Sequence, residues 1–351
     1  MDPKSAVFKD TGSRIKPGMT TFAPFRRSFM KREAVWLAVM LAAVSAAHAQ
    51  TPYPTKPVRL IVGFPPGGSN DIVARIIAPK LTQMLGAQVV VENRPGANAT
   101  IGTDFVAKAA PDGYTLVLGS SSPLVISPFT FSSIPYDTLR DFAAITTVGS
   151  TPEMLAIHPS LPARNLKELI ALAKSQPGKL NFASSGNGGL PHLATELFKK
   201  LGNVNVVHVP YKGAGPAATD LIGGHVHGMI IDMPALYPHV KSGKLRGIIV
   251  TADKRTPLLP DLPTSAEQGM PGLIAINWFA IMAPAKTGRP VIDRLYSALA
   301  QTANASDVKE QFRAQGVDAY LQTSPEAFTA FLREELGRWE KVAKDSGARA
   351  D

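Results

Sequence analysis

Leu60-Ile61-Val62-Gly63-Phe64-Pro65-Pro66-Gly67-Gly68-Ser69-Asn70-Asp71 is the stretch that decides the fold. It reads as a buried strand, a tight glycine turn and the start of a helix. Residues 58–62 form a short apolar run rich in β-branched side chains, as suits a strand covered on both faces. Pro65 and Pro66 stop that strand. Gly67 and Gly68 let the backbone turn sharply and leave its N–H groups uncovered by side chains. Ser69, Asn70 and Asp71 are residue types that cap helices, and Ile72, Val73, Ile76, Ile77 and Met84 follow at helical spacing. A helix N-terminus with bare amides attracts an anion. The same residues also suit an ordinary strand-to-helix turn.

Outward from this stretch, strands and helices alternate. A helix is expected over 72–85, where Pro79 removes one backbone bond and predicts a kink. Strands follow at 88–92 and 115–118, with a short helix at 101–109 between them. Such alternation argues for a parallel sheet with helices on both faces, and ligands of such folds bind beyond the carboxyl ends of the strands. Three loops lie there: 64–71, 95–99 and 119–122. Residues 144–157 read as one long extended run passing from one domain to another. A second alternating unit follows, with its own glycine turn, Ser184-Ser185-Gly186-Asn187-Gly188-Gly189, before a helix at 190–201. Residues 275–283 are extended and cross back. The last third is helical, and the final helix puts Phe328, Phe331, Leu332, Leu336, Trp339 and Val342 on one face, read as docking onto the first domain. Two strand–glycine-turn–helix devices that face one another make a clamp for a small anion.

Composition narrows the function. Apolar residues make up 45% of the 351, enough for a sizeable core. There is no cysteine, which excludes disulfides, thiolate metal sites, a cysteine nucleophile and a lipid-modified cysteine anchor. Half of the net charge of +10 sits in residues 1–49, where eight Lys/Arg stand against three acids. The remaining basic residues are dispersed, without aromatic interleaving, so no nucleic-acid surface is expected. Arg26-Arg27-Ser28-Phe29-Met30-Lys31-Arg32 is a positive n-region, residues 34–47 are an h-region too short to span a bilayer comfortably, and Ala47-His48-Ala49 offers a cleavage site before Gln50. The export route reads equally as twin-arginine or general secretory. The mature chain is expected in the periplasm.

Further on, the chain resembles the Bug-type, or tripartite tricarboxylate transporter, substrate-binding receptors from about Tyr53 to its C-terminus. The resemblance is carried by Tyr-Pro-x-Lys-Pro-Val-Arg at 53–59, Pro-Pro-Gly-Gly-Ser-x-Asp at 65–71, Val-Glu-Asn-Arg-Pro-Gly-Ala at 91–97 and Ala-Pro-Asp-Gly-Tyr-Thr-Leu at 110–116. Val-Pro-Tyr-Lys-Gly at 209–213, Pro-His-Val-Lys-Ser-Gly-Lys-Leu-Arg at 238–246 and Leu-Pro-Asp-Leu-Pro-Thr at 259–264 continue it. It implies an α/β, two-domain periplasmic-binding-protein fold of type 2, a Venus flytrap with its ligand cleft between domains. The division it implies is a leader at 1–49, a first domain at 50–151, a second at 152–275, and a return to the first at 276–351. It implies a monomeric, non-enzymatic receptor without cofactor or metal. Such a receptor closes on a small organic carboxylate and presents it to the membrane subunits of a tripartite transporter or, alternatively, to a sensor kinase. Carried over, the ligand-binding residues are Phe64, Gly67, Gly68, Ser69 and Asp71 from the first domain and Ser184, Ser185, Gly186 and Gly188 from the second. Asn98, Ser121, Ser122, His192, Tyr211 and Asp232 are further candidates. Asp71 suits either a ligand's ammonium or hydroxyl, or a helix cap. Asn98 stands where relatives commonly carry glycine, and the segment after Asp232 lacks a frequent asparagine, so ligand choice cannot be copied from relatives.

Other chemistries fit less well. His225 and His227, two apart on an expected strand, have no spaced carboxylate partner for a metal. Ser121 and Ser185 lie in Ser/Gly-rich loops without a Gly-x-Ser-x-Gly elbow, so a hydrolase built from a serine with His192 and Asp232 is the weaker reading. No Gly-Lys-Ser/Thr follows the glycines, which excludes a nucleotide P-loop.

Overall fold

The computed structural model describes Gly18 and residues 53–350, so the expected leader and its cleavage point lie outside the described residues. Among the described residues no helix is long and apolar enough to cross a membrane. The chain opens with β1 (Val58–Val62), α1 (Ser69–Leu85), β2 (Val89–Asn93), α2 (Thr100–Ala107) and β3 (Thr115–Ser120). β1 is parallel to both β2 and β3, with Leu60 opposite Val91 on one side and Leu116 on the other. The apolar run that suggested a doubly covered strand is buried at Val58, Leu60, Ile61 and Val62. α1 buries Val73, Ile77, Leu81 and Leu85, one residue per turn, against this sheet. It runs continuously through Pro79, which is exposed.

The long extended run is β4 (Phe142–Ile157). Its first half pairs with β9 (Ile276–Pro284) and β10 (Asp318–Ala319), and its second half with β7 (Gly228–Asp232) and β8 (Arg246–Val250). β3 also pairs antiparallel with β9. Beyond β7 lie β5 (Asn181–Ser184) and β6 (Val207–Pro210), parallel to each other. Two mixed sheets, in the order β2-β1-β3-β9-β4 and β4-β7-β5-β6, therefore share one strand. The two sheets and the helices packed against them make an α/β fold. The period of two along β9 feeds two cores at once: Phe279, Ile281 and Ala283 join one, Trp278, Ala280 and Met282 the other.

The helices between β4 and β9 are α3 (Leu166–Ser175), α4 (Leu190–Gly202), α5 (Ala214–Ile222) and α6 (Met233–Lys241). After β9 come α7 (Arg289–Asn304), α8 (Ser306–Ala314) and α9 (Pro325–Ser346), whose N-cap Ser324 accepts from Ala327 N. α9 docks more widely than expected. Phe328, Leu332, Trp339 and Ala343 enter a core that also holds Leu190, Leu193 and Ala194 of α4, and Lys200 donates to the Asp345 carbonyl. Its helical spacing identifies the buried face but carries no information about how many elements that face covers.

Two further expectations need correction. His225 and His227 precede β7 in a loop rather than lying on a strand, and His227 Nδ1 accepts the Asn181 N–H. No group of three or more His, Cys, Asp or Glu among the described residues is arranged to hold a metal. After β3 the sequence reading placed no element, whereas residues Ser122–Ile126 form a π-helical turn that continues as one α-turn, Ser127–Thr130. Pro123 falls in the first turn of this run, where a missing N–H costs nothing.

Candidate functional site

Two of the three loops at the strand ends, 64–71 and 119–122, meet the second glycine turn across a small chamber, and the third, 95–99, lines the wider space beside it. Its wall is made by Phe64, Gly68, Ser69, Asn70, Ser120 and Ser122 on one side, with Ser185, Pro191, Ala214, Ile231, Asp232 and Asn277 completing it. The chamber holds about 30 Å³, room for a water but not for a small organic acid. It shares Phe64 and Ser185 with a wider mouth of about 750 Å³, lined also by Asn98, Gly186, Tyr211 and Lys212.

The N-terminus of α1 forms the most telling wall. Its N-cap is Gly68, not Ser69, Asn70 or Asp71, and no side chain caps it. Ser69, Asn70 and Asp71 are therefore the first helical residues, whose N–H groups have no intrahelical acceptor. Ser69 and Asn70 are buried, and neither Ser69 Oγ nor Asn70 Nδ2 has a hydrogen-bond partner. Buried donors without partners are rare, because each costs about 1–3 kcal/mol.

Asp71 plays a different part. Its Oδ2 accepts from Gly67 N at 3.0 Å and Arg75 Nε at 2.9 Å, and its Oδ1 accepts from Asn93 Nδ2 at 2.9 Å. Burial opposes the charge, but the bonds from Arg75, Gly67 and Asn93 outweigh it and hold the carboxyl below its usual range. Reaching back from the third helical position, it fixes the first glycine turn, as the acid of a capping box does. Gly67, with φ of 83°, takes the left-handed conformation that glycine permits, and its N–H is spent on Asp71.

The second turn is held in the same manner. Ser184 is buried, donates to the Gly186 carbonyl and meets His208 Nε2 at 2.6 Å. His192 Nδ1 accepts from Gly188 N, and its ring stacks on His208 with centroids 3.9 Å apart. Burial pushes both imidazoles down, His208 to about 3, with neighbouring His192 and Lys199 adding to the shift on His208. Two neutral stacked rings thus brace the turn. Ser122 Oγ accepts from Leu190 N, and Thr130 Oγ1 donates to the Gly188 carbonyl. Asn98 donates to Ser127 Oγ at 3.2 Å while its Oδ1 stays buried without a partner. A Cβ on Gly189 would lie 2.8 Å from the Asn98 amide, so glycine there is what admits it.

Asp232 ends β7 at the chamber floor. Asn277 of β9 donates to its Oδ2 at 3.0 Å, and Asn277 Oδ1 accepts both the N–H and the hydroxyl of Ser121. Burial raises the Asp232 carboxyl to about 6, against the Asn277 amide and the nearby Ser69 hydroxyl, which favour its charge although the Ser69 hydroxyl is not in hydrogen-bond geometry. Tyr211, at the mouth, donates to Asp220 Oδ2.

Of the expected site residues, Phe64, Gly68, Ser69, Ser122, Ser185 and Asp232 wall the chamber, and Asn98, Gly186 and Tyr211 line its mouth. Gly67, Asp71, Ser121, Ser184, Gly188 and His192 stand behind these, fixing the turns through the bonds above. No serine pairs with His192, and Asp232 bonds Asn277, so the Ser–His–Asp relay is not assembled. The sequence reading missed Asn70 and Asn277. A lone amide in the apolar run 276–284 was the available signal, since a buried polar side chain demands partners.

Residues 73–348 match the family described as tripartite tricarboxylate transporter family receptor. The chain is 41% identical to protein BugT of Bordetella pertussis over 89% of its own length and 95% of that protein's. It is 35% identical to R. palustris Rpa4515, solved with adipate, with a TM-score of 0.82 over 85% of this chain and 99% of that one. To MatC of Rhodopseudomonas palustris, solved with malate, it is 30% identical, with a TM-score of 0.78 over 83% and 99% of the two chains. The chain belongs to the tripartite tricarboxylate transporter family of receptors, which are periplasmic solute-binding proteins and not enzymes.

Proposed function

We propose that this protein is an exported receptor that closes two domains on one small organic carboxylate and presents it to the membrane subunits of a tripartite transporter. The observation that carries the reading is the pair of buried, unpartnered donors, Ser69 Oγ and Asn70 Nδ2, at the uncapped N-terminus of α1. A carboxylate oxygen would satisfy both and meet the helix dipole. In this reading residues 50–151 and 276–351 form one domain and 152–275 the other. β4, the strand the two sheets share, and β9 beside it are the connections about which they open. Opening is required, because the chamber has no room for a dicarboxylate as it stands. Adipate in Rpa4515 and malate in MatC make small dicarboxylates the first candidates.

A thermal-shift screen of the purified protein against mono-, di- and tricarboxylates and acidic amino acids tests this. A ligand at a hundred times its Kd should add about 2.7 kcal/mol to stability. A shift with a small carboxylate is expected. No shift with any of them, and no carboxylate co-purifying by mass spectrometry, would contradict the reading.

A further inference from the structure

The chamber poses an electrostatic problem. Among the described residues Asp232 is the one titratable side chain in its wall, and no Lys, Arg or His lines it. Opposite Asp232 in the β4–β7 register stands Glu153, fully buried, with neither carboxyl oxygen hydrogen-bonded. The groups that face this pair are uncharged. Asn277 of β9 donates to Asp232, Ser69 and Asn70 of α1 share its chamber, and Thr251 after β8 gives its N–H and hydroxyl to the Glu153 carbonyl. α6 has no acid or base in its first turn; its His239 and Lys241 lie in its last. The ion pair on α1, Asp71 with Arg75, is turned to Gly67 and Asn93. A third carboxyl brought beside two others, without a cation, cannot leave all of them ionised.

We propose that capture of a carboxylate in this chamber takes up one proton, which Asp232 holds while Glu153 stays neutral, so that Asp232 donates a hydrogen bond to the anion it would otherwise repel. The inference rests on the receptor reading above. The unliganded protein is poised for it: burial raises Asp232 to about 6, and burial together with the Asp232 charge holds Glu153 well above its usual range. An arriving anion raises Asp232 further. Affinity is therefore greatest below about pH 6 and falls as pH rises, by up to about tenfold per pH unit, until the liganded form itself ionises.

Calorimetric titration of adipate at about pH 7.5, in two buffers of different ionisation heat, reads proton uptake directly, because adipate is itself fully ionised there. Uptake of nearly one proton is expected for the wild type and for Glu153→Gln. Asp232→Asn should take up none, and its affinity should stay flat between about pH 6 and 8 while the wild type's falls. Binding by the wild type without uptake overturns the inference alone, whatever the variants do. So does uptake that persists in Asp232→Asn or vanishes in Glu153→Gln, or a preference for glutamate, whose ammonium would pair with ionised Asp232. Failure to bind adipate, malate or any other carboxylate of the screen above sinks the receptor reading and this inference with it.

Discussion

Asn70→Leu should lower carboxylate affinity by about 100-fold while making the unliganded protein more stable by about 1–2 kcal/mol. The two effects share one cause. Asn70 Nδ2 is buried without a protein partner, so the empty protein bears part of the cost of desolvating it, which a bound carboxylate acceptor recovers. Leucine has the same branched shape and no donor. A residue that serves the fold alone would behave oppositely, with stability falling and affinity unchanged. Calorimetric titration and urea unfolding of the same variant separate the two cases. Functional sites are where such local frustration is expected, since the protein gives up stability for preorganised donors.

Asn277→Leu should have the larger structural effect, and its size should depend on pH. One amide links Asp232 Oδ2 to the N–H and hydroxyl of Ser121, so its loss strips partners from three buried groups. Near pH 8 the cost should be about 3 kcal/mol. The sign follows from Asp232, whose pKa in the fold, about 6, lies above its ordinary value. The stability it carries is complete below its unfolded pKa and is lost as pH rises through the folded one. Asn277 favours the charged form, so without it the folded pKa rises further and the alkaline loss deepens. Near pH 5 Asp232 is protonated with or without Asn277, and the cost should shrink to the Ser121 contribution of about 1 kcal/mol. Urea midpoints at the two pH values give the difference, and equal destabilisation at both would show that Asn277 does not act through the Asp232 charge.

The strand–glycine-turn–helix reading of residues 60–71 was legible because each step has a local cause: β-branched residues, two prolines, two glycines, then helical spacing. β4 and β9 were legible as long extended runs for the same reason. Which groups serve as donors was less legible. Ser69, Asn70 and Asp71 are equivalent as cap types in sequence, yet Gly68 takes the cap position and the three side chains diverge. Two of them stay unpartnered toward the chamber, while Asp71 turns back to Gly67, Arg75 and Asn93. That divergence depends on where β2 places Asn93, a nonlocal fact. Glu153 was likewise invisible, because its burial arises from pairing with β7 and β8, some 75 to 97 residues away in the chain. The histidine stack behind the second turn depends on the β5–β6 pairing that brings His208 beside Ser184.

The most direct measurement is a crystal structure of the protein grown with adipate. One carboxylate of the ligand is expected within hydrogen-bond distance of both Ser69 Oγ and Asn70 Nδ2, closed over by Ser185 and Asp232. A ligand seated only at the mouth, against Asn98 and Tyr211 with Ser69 and Asn70 still unpartnered, would contradict it.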